Sequence, residues 1–126
     1  MEKWQQDVLE FHRILGVYIG QRPRLPDPEV RRLRARLIRE EAGELLSALE
    51  SGSLVGIASE SADLIVVVLG TCISCGIDLE PVWDEVHKSN MAKAGGPRRE
   101  DGKVLKPEGW KSPKIAEVLR EQIERV

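Results

Sequence analysis

A long apolar segment in the middle of the chain is the feature that most limits how it can fold. No Gly-Pro breaker interrupts residues 57–69, and the run LIVVVLG at 64–70 has no charged residue. The β-branched residues of this run are also typical of buried strands, but a strand of about 20 residues would be abnormally long. We therefore predict a helix from Leu54 to Cys75 that is apolar on almost all sides and central in the fold.

Four further helices are predicted from apolar spacing, capping residues and breakers. Together with the central segment, the predicted helices cover residues 2–19, 28–50, 54–75, 79–93 and 114–125. Residues 94–112 form a Gly-, Pro- and Lys-rich loop that is unusually long for a compact domain, so we expect it to be functional or mobile. The prediction is an all-α chain, an up-down bundle of four to five helices in a single domain, 1–126.

Composition narrows the class of protein. The 126 residues suit one domain, and 41% hydrophobic with 32% charged residues is typical of globular rather than disordered chains. The net charge of −2 gives no reason to expect nucleic acid or an anionic membrane as the main partner. The polar start does not resemble a signal peptide, and the apolar run Leu64–Leu69 is too short to span a bilayer. We expect a soluble, cytoplasmic protein.

Two pairs of carboxylates lie on helix faces that would otherwise bury apolar side chains. Glu41 and Glu44 are three residues apart in the second predicted helix, on a stripe that also carries leucine and alanine. Glu60 and Asp63 repeat this spacing in the third helix, where its most apolar run begins. A single glutamate of this kind is usually a solvated surface group, and salt bridges to nearby arginines are another explanation for Glu40 or Glu41. Two such pairs on neighbouring helices instead predict a shared site.

Electrostatic repulsion determines what else such a site must contain. Two carboxylates about 4 Å apart repel each other by about 4 kcal/mol at an effective dielectric near 20. Four or five converging carboxylates would therefore cost more than the roughly 5–15 kcal/mol by which a small domain is stable. A cation must lie between them, and oxygen-only ligands favour a hard ion that binds together with substrate phosphates. The sequence predicts Mg²⁺ as the cofactor, with Mn²⁺ as a substitute.

The order of these motifs resembles a known superfamily. E-x-x-E at Glu41–Glu44, a gap of fifteen residues and E-x-x-D at Glu60–Asp63 are followed by EVHKSNMAKAGG, which contains Asn90 and Lys93. This arrangement is similar to that of the all-α nucleoside triphosphate pyrophosphohydrolases, which include MazG-like proteins, dimeric dUTPases and phosphoribosyl-ATP pyrophosphohydrolases. The segments QQDVLEFHRILG and DGKVLKPEGW look most like those of single-domain MazG-like proteins.

The resemblance implies a reaction and roles for individual residues. The implied activity is Mg²⁺-dependent hydrolysis of a (d)NTP, with dUTP as one plausible substrate, to the monophosphate and pyrophosphate, in a homodimer or higher homo-oligomer that completes the bundle. The implied metal ligands are Glu41, Glu44, Glu60 and Asp63. Glu40 is our candidate for orienting or deprotonating the attacking water. By the same resemblance Lys93 would contact a phosphate, and Asn90 the sugar or a phosphate.

Three further residues are candidate substrate contacts with a structural alternative. Lys106 belongs to the basic loop, which either closes over the phosphates or is simply solvated. Trp110 either stacks on a base or fixes the loop. His12 lies on the apolar side of the first predicted helix, where it either contacts a base or fills the core.

Other functions remain open at the level of sequence. Phosphoribosyl-ATP is an alternative substrate within the same superfamily. A carboxylate-bridged di-iron bundle would need Glu-x-x-His pairs on two helices, and the chain offers only Asp84-x-x-His87. A non-catalytic helical dimer, acting as a regulator or adaptor, would use the acidic residues to bind a basic partner, but it would not explain why Glu60 and Asp63 border an apolar run.

Overall fold

The structure is a computed structural model that describes residues 1–125, so Val126, the last residue of the predicted domain, lies outside the described residues. The five helices are α1 Lys3–Leu15, α2 Pro28–Ser51, α3 Leu54–Ser74, α4 Leu79–Met91 and α5 Ile115–Glu124. Across the described residues there is no strand, only an isolated antiparallel bridge between Arg98 and Val104. The all-α prediction is confirmed.

Helices α2 and α3 form a hairpin whose bounds agree with the predicted ones to within one residue. Pro28 occupies the first turn of α2, where its missing N–H is no loss. Gly52 ends α2 in the left-handed conformation, at φ +73°. The Ser53 hydroxyl accepts a hydrogen bond from the Gly56 N–H at 3.0 Å and so caps α3. Local sequence signals therefore set both ends of the connection.

Helix α1 is shorter than predicted. The apolar spacing continues to Tyr18, but Gly16 adopts φ +69° and its N–H bonds to the His12 carbonyl, so the helix ends at Leu15. The first helix is confirmed, but its predicted end at residue 19 was wrong because the left-handed glycine cap overrides a periodicity that runs past it. Helix α4 likewise ends at Met91 rather than near Lys93.

The chain forms two compact units, of which the first comprises Met1–Leu79. In this unit α3 packs against both α1 and α2. Its apolar core consists of Val8, Leu69 and Ile73, with Leu9, Ile19 and Leu79 packed around it. The fully buried Gln5 donates from Nε2 to the Ile77 carbonyl at 2.7 Å and accepts at Oε1 from the Leu79 N–H at 2.9 Å. These two bonds hold α1 against the segment that follows α3.

The second unit begins at Glu80 and contains most of α4, the long loop and α5. Within the loop, the Leu105 N–H donates to the Pro97 carbonyl at 2.6 Å and the Arg99 N–H to the Lys103 carbonyl at 2.8 Å. The Lys114 N–H donates to the Glu85 carboxylate at 3.1 Å, which joins the start of α5 to α4. The loop therefore has internal hydrogen-bonded structure of its own.

By length and composition alone, α3 could cross a membrane. The run Leu64–Leu69, which we judged too short, is part of this 21-residue helix. Only 11% of its apolar 18-residue stretch is buried in the structure. A core helix of a soluble protein can have the same length and composition, so this feature alone is weak evidence for a membrane span. The prediction of a central α3 is met in part, because the helix packs on two neighbours yet leaves Ile65, Val66 and Val68 exposed.

Candidate active site

The α2–α3 hairpin brings carboxylates from its two helices together. Glu41 on α2 and Glu60 and Asp63 on α3 each offer an oxygen, and these oxygens all lie within 4.8 Å of one another. Within residues 1–125 this is the only group of three or more His, Cys, Asp and Glu side chains close enough to hold a metal ion. It contains no histidine, so the structure gives no support to a di-iron site built on Asp84 and His87.

Two further glutamates border this group. The Glu44 carboxyl group shares a hydrogen bond with Glu60, and the charge of Glu40 is close enough to influence Glu41. Because Glu44 lies one turn after Glu41 on the same face of α2, it faces α3 as well. The structure thus brings all five predicted acidic residues to one region of the hairpin, while their individual roles stay predictions.

Crowding changes the acidity of two of these groups. The hydrogen bond with Glu44 contributes most to raising the pKa of Glu60, followed by burial and by the negative charges of Glu44, Asp63 and Glu41. Burial is the largest cause that raises the pKa of Glu41, and the charges of Glu44, Asp63 and Glu40 add to it. Without a cation, these two side chains therefore release their protons at a higher pH than an ordinary glutamate does.

The donor set fits a divalent cation. The Oε2 atoms of Glu41 and Glu60 are buried and have no hydrogen-bond partner. A buried carboxylate oxygen without a donor is costly, and a bound cation would remove that cost. Because every nearby ligand atom is a carboxylate oxygen, Mg²⁺ or Mn²⁺ suits the group better than a metal that prefers nitrogen or sulfur.

The raised pKa values predict how stability depends on pH. We expect the free energy of unfolding of the metal-free protein to fall as pH rises above about 4.5, the ordinary glutamate value. Over this interval the folded protein retains protons that the unfolded chain has released, so rising pH favours unfolding. Urea titrations in EDTA at several pH values would measure the slope. Glu60→Gln should flatten it, and an equal slope in wild type and variant would contradict the prediction.

His12 is buried in the first unit, with 3% of its surface exposed. Its Nδ1 lies 3.3 Å from the Tyr18 carbonyl oxygen. Burial is the main cause that lowers the pKa of His12, and the nearby charge of Arg34 lowers it further, so the ring favours the neutral form. These surroundings favour a structural role, and base contact by His12 stays a prediction.

The other four predicted substrate contacts lie in the second unit. Lys93 Nζ donates to Asn90 Oδ1 at 3.3 Å. The Trp110 indole N–H donates to the Ser89 carbonyl at 2.9 Å, and the ammonium groups of Lys93 and Lys106 lie 5.2 and 4.8 Å from the centre of its ring. Trp110 therefore fixes the loop to α4 through a hydrogen bond and cation–π contacts. Substrate binding by these residues stays a prediction.

One buried charged residue in the α2–α3 hairpin was missed by sequence reasoning. Arg34 on α2 is only 6% exposed and hydrogen-bonds to α3. The spacing along α2 could have indicated this burial. Arg34, Glu41 and Ala48 follow one another at intervals of seven residues, so they share the face of α2 that turns towards α3. At the level of sequence, nearby arginines are considered only as alternative partners for Glu40 or Glu41, and a buried one is not predicted.

Comparison with known proteins settles the kind of enzyme. A family model described as phosphoribosyl-ATP pyrophosphohydrolase matches residues 8–90, a span that contains Glu40 to Asp63 and reaches Asn90. No curated protein shows a significant match to the chain. The match covers more than half of the sequence and supports the superfamily suggested by the motifs, but not the closer resemblance to MazG-like proteins. Membership of an enzyme family favours a catalytic role over that of a non-catalytic adaptor. The chain belongs to the phosphoribosyl-ATP pyrophosphohydrolase family, within the all-α nucleoside triphosphate pyrophosphohydrolases, and is a nucleotide pyrophosphohydrolase.

Proposed function

We propose that the protein hydrolyses a (d)NTP, with dUTP as one candidate, to the monophosphate and pyrophosphate, with Mg²⁺ held by carboxylates of the α2–α3 hairpin. The observation that carries this proposal is that Glu41 and Glu60, which form one group with Asp63, each have a buried oxygen without a hydrogen-bond partner. Glu44 is the fourth proposed ligand, because its carboxyl group contacts Glu60. Mn²⁺ has the same preference for oxygen ligands and should substitute.

Different side chains of the hairpin would bind the metal and accept the proton from water. When bound, Mg²⁺ would neutralise phosphate charge and favour the hydroxide form of water. Glu40 is exposed and lies next to the ligand Glu41, so its carboxylate is free to orient a water molecule and accept its proton. On the resemblance alone, we propose that Lys93 contacts a phosphate and that Asn90 contacts the sugar or a phosphate. Lys106, Trp110 and His12 are weaker candidates for substrate contacts.

Phosphoribosyl-ATP is the second candidate substrate, and the description of the matching family favours it. The bond broken would be the same, between the α- and β-phosphates, so the acidic group serves either substrate. A panel of (d)NTPs and phosphoribosyl-ATP, assayed with Mg²⁺ for pyrophosphate release, would decide between them. A preference of at least about tenfold in kcat/KM, equal to about 1.4 kcal/mol, would identify the substrate class.

The position of bond cleavage gives a direct test of the proposed reaction. In ¹⁸O-labelled water we expect the label in the nucleoside monophosphate, because the water that Glu40 orients is proposed to attack the α-phosphorus. Mass spectrometry of both products would detect it. Label in pyrophosphate would mean attack on the β-phosphorus, and release of a diphosphate with inorganic phosphate would mean attack on the γ-phosphorus. Either result would overturn the mechanism even if the metal site is real.

We also propose that residues 1–126 act as one catalytic domain that includes the basic loop 94–112, and that the protein is cytoplasmic with no nucleic acid or membrane as a partner. The modest net charge of −2 supports the absence of nucleic acid. Membership of a soluble enzyme family supports the interpretation of α3 as a core helix rather than a membrane span.

A homodimer is proposed because the first unit covers few of its own apolar residues. Among the described residues only Val8, Ala48, Leu69 and Ile73 are hydrophobic and buried. Towards the turn of the α2–α3 hairpin, Leu46 and Leu49 are more than half exposed, and Leu54 and Val55 are 80% and 82% exposed. Contiguous apolar surface of this kind is typical of protein–protein interfaces. A second copy that covers α2 and α3 would complete the helical packing.

We expect light scattering to give at least twice the monomer mass at micromolar concentration. Val66→Asp, which places a charge on the exposed apolar side of α3, should shift the mass towards the monomer because burying an unpaired carboxylate is costly. Ser112→Asp introduces the same side chain at an exposed loop position and should leave the mass unchanged. A stable wild-type monomer would contradict the proposal.

A further inference from the structure

We propose that Arg34 is a positioning residue that fixes the register of α2 against α3 and thereby the spacing of the carboxylates that bind metal. The inference rests on the metal site of the proposed function. Arg34 itself contacts neither the acidic group nor, in this proposal, the substrate. Its effect would pass through the hairpin, whose two helices supply the ligands.

The guanidinium of Arg34 makes directional contacts with α3. Its Nη2 donates to the Val67 carbonyl at 2.9 Å and its Nε to Thr71 Oγ1 at 3.2 Å. The Thr71 hydroxyl in turn donates to the same Val67 carbonyl at 2.8 Å. Because the guanidinium is planar and its donors lie at fixed angles, satisfying both acceptors together restrains how α2 lies along α3.

Gly70 makes this close approach possible. A Cβ atom added there would lie 2.5 Å from Arg34 Nη2 and 2.7 Å from His12 Nε2. Real Cβ atoms do not approach other atoms so closely, so any side chain at this position would displace the guanidinium or the ring. The missing side chain at Gly70 therefore leaves room on α3 for Arg34 from α2 and His12 from α1.

The burial of Arg34 is not explained by an ion pair. Among residues 1–125 no carboxylate forms a salt bridge with it, and burial lowers its pKa. The adjacent His12 ring favours the neutral form, so it adds no second positive charge, and a histidine ring cannot act as a counter-ion for arginine. Burying a charge without a counter-ion costs free energy, and well-packed apolar side chains are often as stable in such positions. The best-attested reason to keep a buried polar group is that it specifies register.

The geometry of the hairpin connects this contact with the carboxylates. Arg34 precedes Glu41 by seven residues on the same face of α2, and Val67 follows Asp63 by one turn of α3. On the other side of the acidic group, a Cβ on Gly56 would lie 3.2 Å from the Ala48 Cβ, so the helices are also in close contact there. Sliding one helix by a single turn moves its residues by about 5.4 Å. Such a shift exceeds the 4.8 Å within which the ligand oxygens lie.

Arg34→Met should lower the affinity for Mn²⁺ without lowering the thermal stability of the metal-free protein. Methionine has an unbranched apolar side chain that fills irregular space, so the thermal midpoint of the metal-free variant should equal or exceed that of wild type. Mn²⁺ affinity, measured by calorimetry and by electron paramagnetic resonance, should fall by about 10- to 100-fold, the range seen when groups that orient metal ligands are removed. A residue that merely stabilises the fold would lower the midpoint and leave the affinity of the folded protein unchanged.

Matched variants complete the experiment. Arg36→Met makes the same change at an exposed position of α2 and should alter neither quantity. Arg34→Lys keeps the charge but not the two-pronged geometry, so its Mn²⁺ affinity should lie between those of wild type and Arg34→Met. Thr71→Val removes one partner of the guanidinium without changing charge, and it should weaken Mn²⁺ binding less than Arg34→Met does. If Arg34→Met does not fold, the Mn²⁺ affinity of Thr71→Val tests the role of Arg34 instead.

The outcomes separate the inference from the function on which it rests. Wild type that fails to bind Mn²⁺ would overturn both the metal site and the role of Arg34. Wild type that binds Mn²⁺, together with folded Arg34 and Thr71 variants that bind it equally well, would overturn the role of Arg34 alone. Loss of affinity in a folded Arg34→Met protein that keeps its thermal midpoint would establish the role.

Discussion

Glu41→Gln and Asp63→Asn are each expected to abolish turnover without destabilising the metal-free protein. Each change removes the negative charge of one proposed metal ligand and, if the proposal holds, several kcal/mol of charge stabilisation. Since every 1.36 kcal/mol corresponds to a factor of ten in rate, turnover should fall about a thousandfold or more. The metal-free fold should be equally or more stable, because the change relieves the repulsion among carboxylates that, after burial, raises the pKa of Glu41.

Pyrophosphate release and urea unfolding in EDTA would measure the two effects. Glu50→Gln makes the same chemical change at an exposed position near the end of α2 and should affect neither. Variants at positions 41 and 63 that kept activity but unfolded as easily as core-cavity mutants would show instead that these residues are structural.

Glu40→Gln is expected to separate chemistry from metal binding. Glu40 lies outside the group of three oxygens within 4.8 Å, yet its charge acts on Glu41. If it orients and deprotonates water, its loss should lower kcat by about 10²- to 10⁴-fold, the range for a general base. Mn²⁺ affinity should change little, because the ligands remain.

Stopped-flow or single-turnover assays would give the rate, and calorimetry the affinity. Glu29→Gln, at an exposed position in the first turn of the same helix, is the matched control. A parallel loss of affinity would make Glu40 a metal ligand, and unchanged turnover would remove it from the mechanism.

The parts that the sequence predicts well are those set by neighbouring residues. Pro28, Gly52 and Ser53 are local signals, and they place the ends of α2 and the start of α3 correctly. The i, i+3 spacing of the carboxylates then requires only that these two helices pack side by side. The end of α1 was missed because a periodic pattern continues to Tyr18 although Gly16 has already ended the helix.

The structural features that the sequence does not predict depend on contacts between residues far apart in the chain. The burial of Arg34 and His12 depends on the absence of a side chain at Gly70, which brings three separate helices to one point. Similarly, the sequence shows Trp110 and two lysines in a basic segment, but only the fold places both ammonium groups over the indole ring. The choice of nucleotide base depends on contacts of this kind and is not contained in the spacing of acidic residues.

The hairpin connection has a consequence for how the protein folds. All five carboxylates lie between residues 40 and 63, and only Gly52 and Ser53 separate the two helices. Closing so short a loop costs little chain entropy, and contacts between near neighbours in sequence form early. The mutual repulsion of the acidic groups therefore opposes one of the first steps of folding rather than the last. A divalent cation present during synthesis would relieve that repulsion as the hairpin closes, so the ion proposed to act in hydrolysis would also favour folding of the hairpin.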